Sequence, residues 1–275
     1  MRTTLPELAA RIAHLYAAHR VVDEPAVLDF DVRLDPPRPW RRAIAAQVAP
    51  WIDGRRRFAP FPRAQALPML EWVLNWCVFS RPHQYLILHS AVLECRGLAV
   101  VLSGHPGAGK STLCAALALR GFRLFSDEVA LIRPDSLDIV PVPRPVSLKE
   151  ESIGVVRRFD PGADVAHDCD DTRKGTVAYL APPADSVRRG DQTARPGLLI
   201  FPHWSAGAAL DLRPVPKAMA LLRTARQSFN YSVLGETGFE TLAEFVERSS
   251  CLDLLYGDLH DAVPAIAAAV EAHAP

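Results

Sequence analysis

A chain of 275 residues, 49% hydrophobic and 23% charged, is long enough to bury one large core with a small appendage, and too apolar to stay disordered. Its 31 Lys and Arg balance 31 Asp and Glu. Zero net charge gives no whole-molecule reason to expect nucleic-acid binding, and the runs Arg55-Arg56-Arg57 and Arg188-Arg189 read as solvated loop charges.

In chain order, residues 5–20 carry apolar side chains at helical spacing (Leu8, Ile12, Leu15, Tyr16), and residues 27–34 alternate as a strand does. Pro36-Pro37-Arg38-Pro39 and Ala59-Pro60-Phe61-Pro62 break the chain. Residues 67–79 form an apolar helix in which Trp72 and Trp76, four apart, serve packing. These first 84 residues form a small α+β accessory region without a chemical motif. The pattern then changes. Residues 85–95 read as a strand, Arg96-Gly97 as a turn, and 98–102 as a fully apolar buried strand. A glycine-rich loop follows, then a helix over 110–120 that Gly121 is placed to end. Short strands are expected at 123–125, 129–132, 139–142, 175–180 and 198–201, and helices at 218–225, 239–248 and 262–272. No stretch approaches the roughly 18 apolar residues of a membrane helix. The N-terminus lacks a signal-peptide core. Cys77, Cys95, Cys114, Cys169 and Cys251 are scattered, with no C-x-x-C pair. The expectation is a cytoplasmic protein with reduced thiols, with neither a membrane nor a nucleic acid as partner.

Gly104-His105-Pro106-Gly107-Ala108-Gly109-Lys110-Ser111 fits G-x-x-x-x-G-K-[ST] in full, with Thr112 next. Glycines let successive backbone N–H groups turn inward as an anion nest, and the start of the following helix adds free N–H groups and a positive dipole end. Lys110 is expected to neutralise β- and γ-phosphates and the Ser111 hydroxyl to ligate Mg²⁺, so the ligands expected are ATP and Mg²⁺. A buried strand before the loop and an uninterrupted helix after it supply the context this motif requires.

Asp127 and Glu128 lie 17 and 18 residues beyond Lys110, at the end of a short strand. A parallel neighbouring strand would deliver them beside the metal. One could hold Mg²⁺, and Asp127 is the expected ligand with Ser111; the other could take a proton from an attacking hydroxyl.

Three segments together, Leu88-His89-Ser90-Ala91-Val92, the loop 104–111, and Arg120-Gly121-Phe122-Arg123-Leu124-Phe125-Ser126-Asp127-Glu128, resemble the catalytic core of HPr serine kinase/phosphorylase, and within that superfamily the HPr-kinase-related proteins of the kinase A type. The resemblance is specific over 85–132 and extends to 143–149, 171–176, 229–231 and 256–258. It implies an α/β fold with a P-loop nucleotide-binding core of the HPr kinase and phosphoenolpyruvate carboxykinase type over 85–275, behind the accessory region 1–84. It also implies transfer of the γ-phosphoryl group to a hydroxyl, typically serine, on a protein or peptide, which a neighbouring gene could encode. His89 falls on the family's active-site histidine, and Asp127 and Glu128 on its paired aspartates, one of them the general base. The glutamate at the second position leaves open which of the two is the base. The family's E-[IV]-R-G-L-G signature is absent; Glu150 or Glu151 could stand in for its acid, and reverse phosphorylase activity is left open, as is a homo-oligomer.

Arg144, between two prolines after a strand, is a candidate clamp for the γ-phosphate. Lys149 and residues 171–175 are candidates for closing over the phosphate or gripping the acceptor, against a solvated charged loop over 168–174. The group His167, Cys169, Asp170 and Asp171 matches no structural zinc spacing. A small-molecule kinase and a nucleotide-gated binding protein with little turnover are the alternatives, because the loop and the acids say nothing of the acceptor.

Overall fold

Leu98–Ser103 is buried at every position, as a strand must be when it has neighbours on both edges and helices over both faces. The computed structural model, which describes residues 1–22, 28–37, 46–81, 84–172 and 175–273, places it inside a mixed six-stranded sheet. Val27, Arg38, Pro39, Arg173 and Lys174, named above, lie outside the described residues, as do the side chains of His167 and Asp171. The order across the sheet is Asp211–Pro214, Ser250–Tyr256, Arg195–Trp204, Leu98–Ser103, Ser90–Cys95, Arg123–Ser126. Arg195–Trp204 runs parallel to both of its neighbours, and Ser90–Cys95 antiparallel to both of its own. Helix Lys110–Leu119 covers one face, flanked by helices Glu151–Phe159 and Leu259–His273; helices Lys217–Ala225 and Glu236–Arg248 cover the other. The whole is a mixed α/β architecture with several sheets.

Two expectations about this sheet are corrected. The stretch 85–95 is two strands, because the chain breaks at His89, whose N–H donates to the Gln227 carbonyl at 2.7 Å. Leu86–Leu88 joins Ala130–Ile132 and Ile139–Val140 in a small antiparallel sheet, while Ser90–Cys95 joins the large one. The strand carrying the acids also does not sit beside the strand carrying the loop. Arg96 and Gly97, at φ 55° and 79°, make the tight left-handed turn of a two-residue hairpin. That turn folds Ser90–Cys95 straight onto Leu98–Ser103 and leaves Arg123–Ser126 one strand farther out.

Helix Lys110–Leu119 ends where glycine allows it to end. Gly121 has φ 92°, its N–H donates to Ala118 O at 3.2 Å, and the Phe122 N–H reaches back to Leu117 O at 3.1 Å, the paired bonds of a Schellman stop. The chain is thereby turned into Arg123–Ser126, which ends at the acids.

The N-terminal residues form a separate five-stranded sheet, in which Val32–Asp35 and Gln47–Ile52 are the longest strands, covered by helices Pro6–Leu15 and Ala66–Ser80. Phe58 packs edge-on against both Trp72 and Trp76, at 4.7 and 5.3 Å between ring centroids, so the tryptophan pair does serve packing. This core also takes in Val177 and Tyr179 from a fourth sheet, Val146–Lys149, Gly175–Leu180 and Val165–Thr172. Among the described residues, no helix is long and apolar enough to cross a membrane.

Candidate functional site

The loop leaves Leu98–Ser103 at its C-terminal end, and its backbone conformation is one only glycine adopts cheaply: Gly107 and Gly109 stand at φ 87° and 91°. Gly109 is also the N-cap of helix Lys110–Leu119, which no side chain caps. The first-turn N–H groups are therefore not claimed by a capping side chain. Space demands glycine at 109 as well, since a β-carbon would lie 2.5 Å from the Tyr256 hydroxyl and 3.2 Å from Trp204 Cβ.

Lys110 is buried, and its ammonium lies in the loop, donating to Gly104 O at 2.6 Å and His105 O at 3.1 Å. Burial pushes its pKa down, against the pull of the Glu128 and Asp127 charges.

The two acids part company after their strand. The Ser126 hydroxyl accepts the Glu128 and Val129 N–H groups at 3.3 and 3.1 Å, holding the turn. Asp127 goes inward: it is buried, Oδ2 accepts the Ser147 N–H at 3.2 Å, and Oδ1 has no hydrogen-bond partner. Burial first, and the Glu128 charge second, push its pKa up to about 7, while the Ser111 hydroxyl, the Ser147 amide and Lys149 work the other way. Glu128 goes outward to His89, with Oε2 at 3.8 Å from Nε2, and the His89 ring lies 5.6 Å from that of Phe229. A buried carboxylate with an orphaned oxygen beside a serine hydroxyl fits a divalent cation, which would supply the missing partner and favour the ionised form.

A cavity of about 840 Å³ gathers these groups. His89, Pro106, Gly107, Gly109, Lys110, Ser111, Thr112, Asp127 and Glu128 all line it. Gly104, His105 and Ala108 belong to the loop's backbone but do not line it. Lys149 and Glu151 do. Glu150 turns away at φ 48°, its Oε1 accepting the Thr176 N–H at 2.9 Å.

Arg144 is not brought to the loop. Its guanidinium donates to Asn75 Oδ1 and stands 3.6 Å from Glu71 Oε2, while the Tyr16 hydroxyl donates to Glu71 Oε1 at 2.7 Å. Burial raises the Glu71 pKa, and Arg144 opposes that rise. A carboxylate buried on helix Ala66–Ser80 needs a cation, and Arg144 is held there, outside the lining of the cavity.

No family model and no curated protein matches the chain. Among solved structures it is similar to the HPr(Ser) kinase/phosphatase from Coxiella burnetii, at 15% identity, over 68% of this chain and 95% of that one, with a TM-score of 0.29. That is a distant structural relationship and carries no argument about activity.

Sequence reasoning did not single out Ser152, Val155, Arg158, Phe159, Trp204, Leu259 or His260, which also line the cavity. Trp204 is register partner to Tyr256 at the C-terminal ends of two parallel strands. Ligands collect at such ends in α/β sheets, and an aromatic residue closing an apolar strand was the signal available at 204.

Proposed function

We propose that the chain binds ATP with Mg²⁺ at the 104–111 loop and transfers the γ-phosphoryl group to a serine or threonine hydroxyl of a protein or peptide. The observation that carries this reading is one cavity in which an uncapped helix start and its lysine face a buried, half-orphaned carboxylate. The motif resemblance over 85–132 supports the choice of acceptor.

Ser111 and Asp127 are the residues that would hold the cation, and a cation there would help neutralise the charge of the triphosphate. Loop N–H groups and Lys110 bind and orient the triphosphate. Glu128, paired with His89 on the open side of the cavity, is the acceptor's base: the hydroxyl gives up its proton there as its oxygen bonds to the γ-phosphorus and the bridging oxygen leaves with ADP. Asp127 is thereby the metal residue and Glu128 the base.

The test is a γ-labelled ATP assay with Mg²⁺ on wild type, Lys110→Ala and Asp127→Ala, with neighbouring-gene products as acceptors. Label on a serine or threonine of one product, lost in both variants, is the expected result. Full activity in Lys110→Ala would sink the mechanism, and label on a metabolite alone would move the acceptor to a small molecule.

A further inference from the structure

Two helix starts open on the same cavity, and they differ in charge. Helix Lys110–Leu119 begins without a side-chain cap. Helix Leu259–His273 is capped by Asp258, whose Oδ1 accepts the His260 N–H at 2.8 Å and whose carbonyl accepts the Ala262 N–H at 3.2 Å. The carboxylate offsets the positive dipole end, so this second start repels phosphate. Between it and helix Glu151–Phe159, Val155, Phe159 and Leu259 give the wall an apolar stretch, with Glu151, Ser152 and Arg158 lining the cavity beside it. His260 is exposed there and stands on buried Phe159, ring centroids 4.8 Å apart, while the Arg120 guanidinium lies 4.3 Å from the centroid of that same Phe159 ring.

We propose that this cleft holds the nucleobase of the bound nucleoside triphosphate, with His260 as its stacking surface; this rests on the reading of the loop as a nucleotide site. The base is tied to loop-bound phosphates through a single ribose, so it must lie beside the start of helix Lys110–Leu119. Both cleft helices pack on that helix, and Thr112 lines the cavity at its first turn. His89, Asp127 and Glu128 line another part of the same cavity, and there the acceptor must enter. An apolar slot with an aromatic platform and polar groups at its rim, here Arg158 and Asp258, is the usual chemistry of base binding. A volume of about 840 Å³ leaves room for a whole nucleotide.

Calorimetric titration of Mg·ATP and Mg·tripolyphosphate into wild type, Val155→Trp, His260→Ala and Trp204→Ala separates base from phosphate binding. Val155→Trp fills the cleft and is expected to weaken ATP about tenfold or more, and His260→Ala about fivefold, with tripolyphosphate unchanged in both. Should Val155→Trp fail to fold, the exposed His260 variant decides. ATP binding unchanged in His260→Ala, an equal loss of both ligands, or an ATP-specific loss in Trp204→Ala alone would overturn the assignment. A wild-type protein that binds neither ligand would instead remove the loop reading itself, and the base site with it.

Discussion

Tyr256 stands over Gly109 so closely that a β-carbon on that glycine would lie 2.5 Å from the phenol oxygen. Strand and loop meet there at the helix start, and the contact ties the loop's shape to the strand Ser250–Tyr256. Gly109→Ala therefore faces two costs, a left-handed backbone at φ 91°, about 1–3 kcal/mol for a residue with a side chain, and the steric clash. Thermal melts are expected to show a lowered Tm. Adding Tyr256→Phe should restore only part of it, because removing the hydroxyl does nothing for the backbone.

Asp127 makes stability depend on pH. Its folded pKa, about 7, lies above the ordinary 3.8, so the folded protein holds a proton that the unfolded chain releases. The associated stabilisation is complete below about pH 4, is lost as pH rises towards 7, and is gone above it, a change on the order of a few kcal/mol. Asp127→Asn should flatten that slope in denaturant titrations and be the more stable protein at pH 8. A slope unchanged in the variant would show that another group titrates.

The same substitution and its neighbour should separate in kinetics. Asp127→Asn is expected to lose Mg²⁺-dependent ATP binding. Glu128→Gln should keep ATP affinity within about threefold while transfer falls by roughly 10²–10⁴. Reversed results would exchange the two roles.

Arg144→Ala tests whether the guanidinium serves Glu71. Glu71 is left as a buried carboxylate without its cation, a loss of about 3–5 kcal/mol, while ATP affinity stays at the wild-type value. Loss of ATP affinity with unchanged stability would return Arg144 to the phosphate.

The loop, the helix after it and the acids were legible because their chemistry is local: glycine, lysine and serine at fixed spacing, then one helix and one strand. Apart from 256–258, the rest of the cavity wall was not. Ser250–Tyr256 is buried at only some of its positions, so Asp253 and the apolar residues around it give no clean alternation. Trp204 and His260 join the loop in one cavity because Arg195–Trp204 and Ser250–Tyr256 pair parallel, a long-range fact with no local trace. Helix Glu151–Phe159 went unseen behind a proline-rich run. At Arg144, proline stiffening beside a strand looks alike whether the guanidinium meets a phosphate or, as in the fold, a buried glutamate 73 residues earlier.

Val177 and Tyr179 sit in the hydrophobic core of the N-terminal sheet although their strand belongs to the far side of the chain. An expression fragment starting at residue 85 would bare both side chains to water, along with Arg144 stripped of Glu71. Such a fragment should collect in inclusion bodies, and supplying residues 1–84 on a second plasmid should bring it back into the soluble lysate.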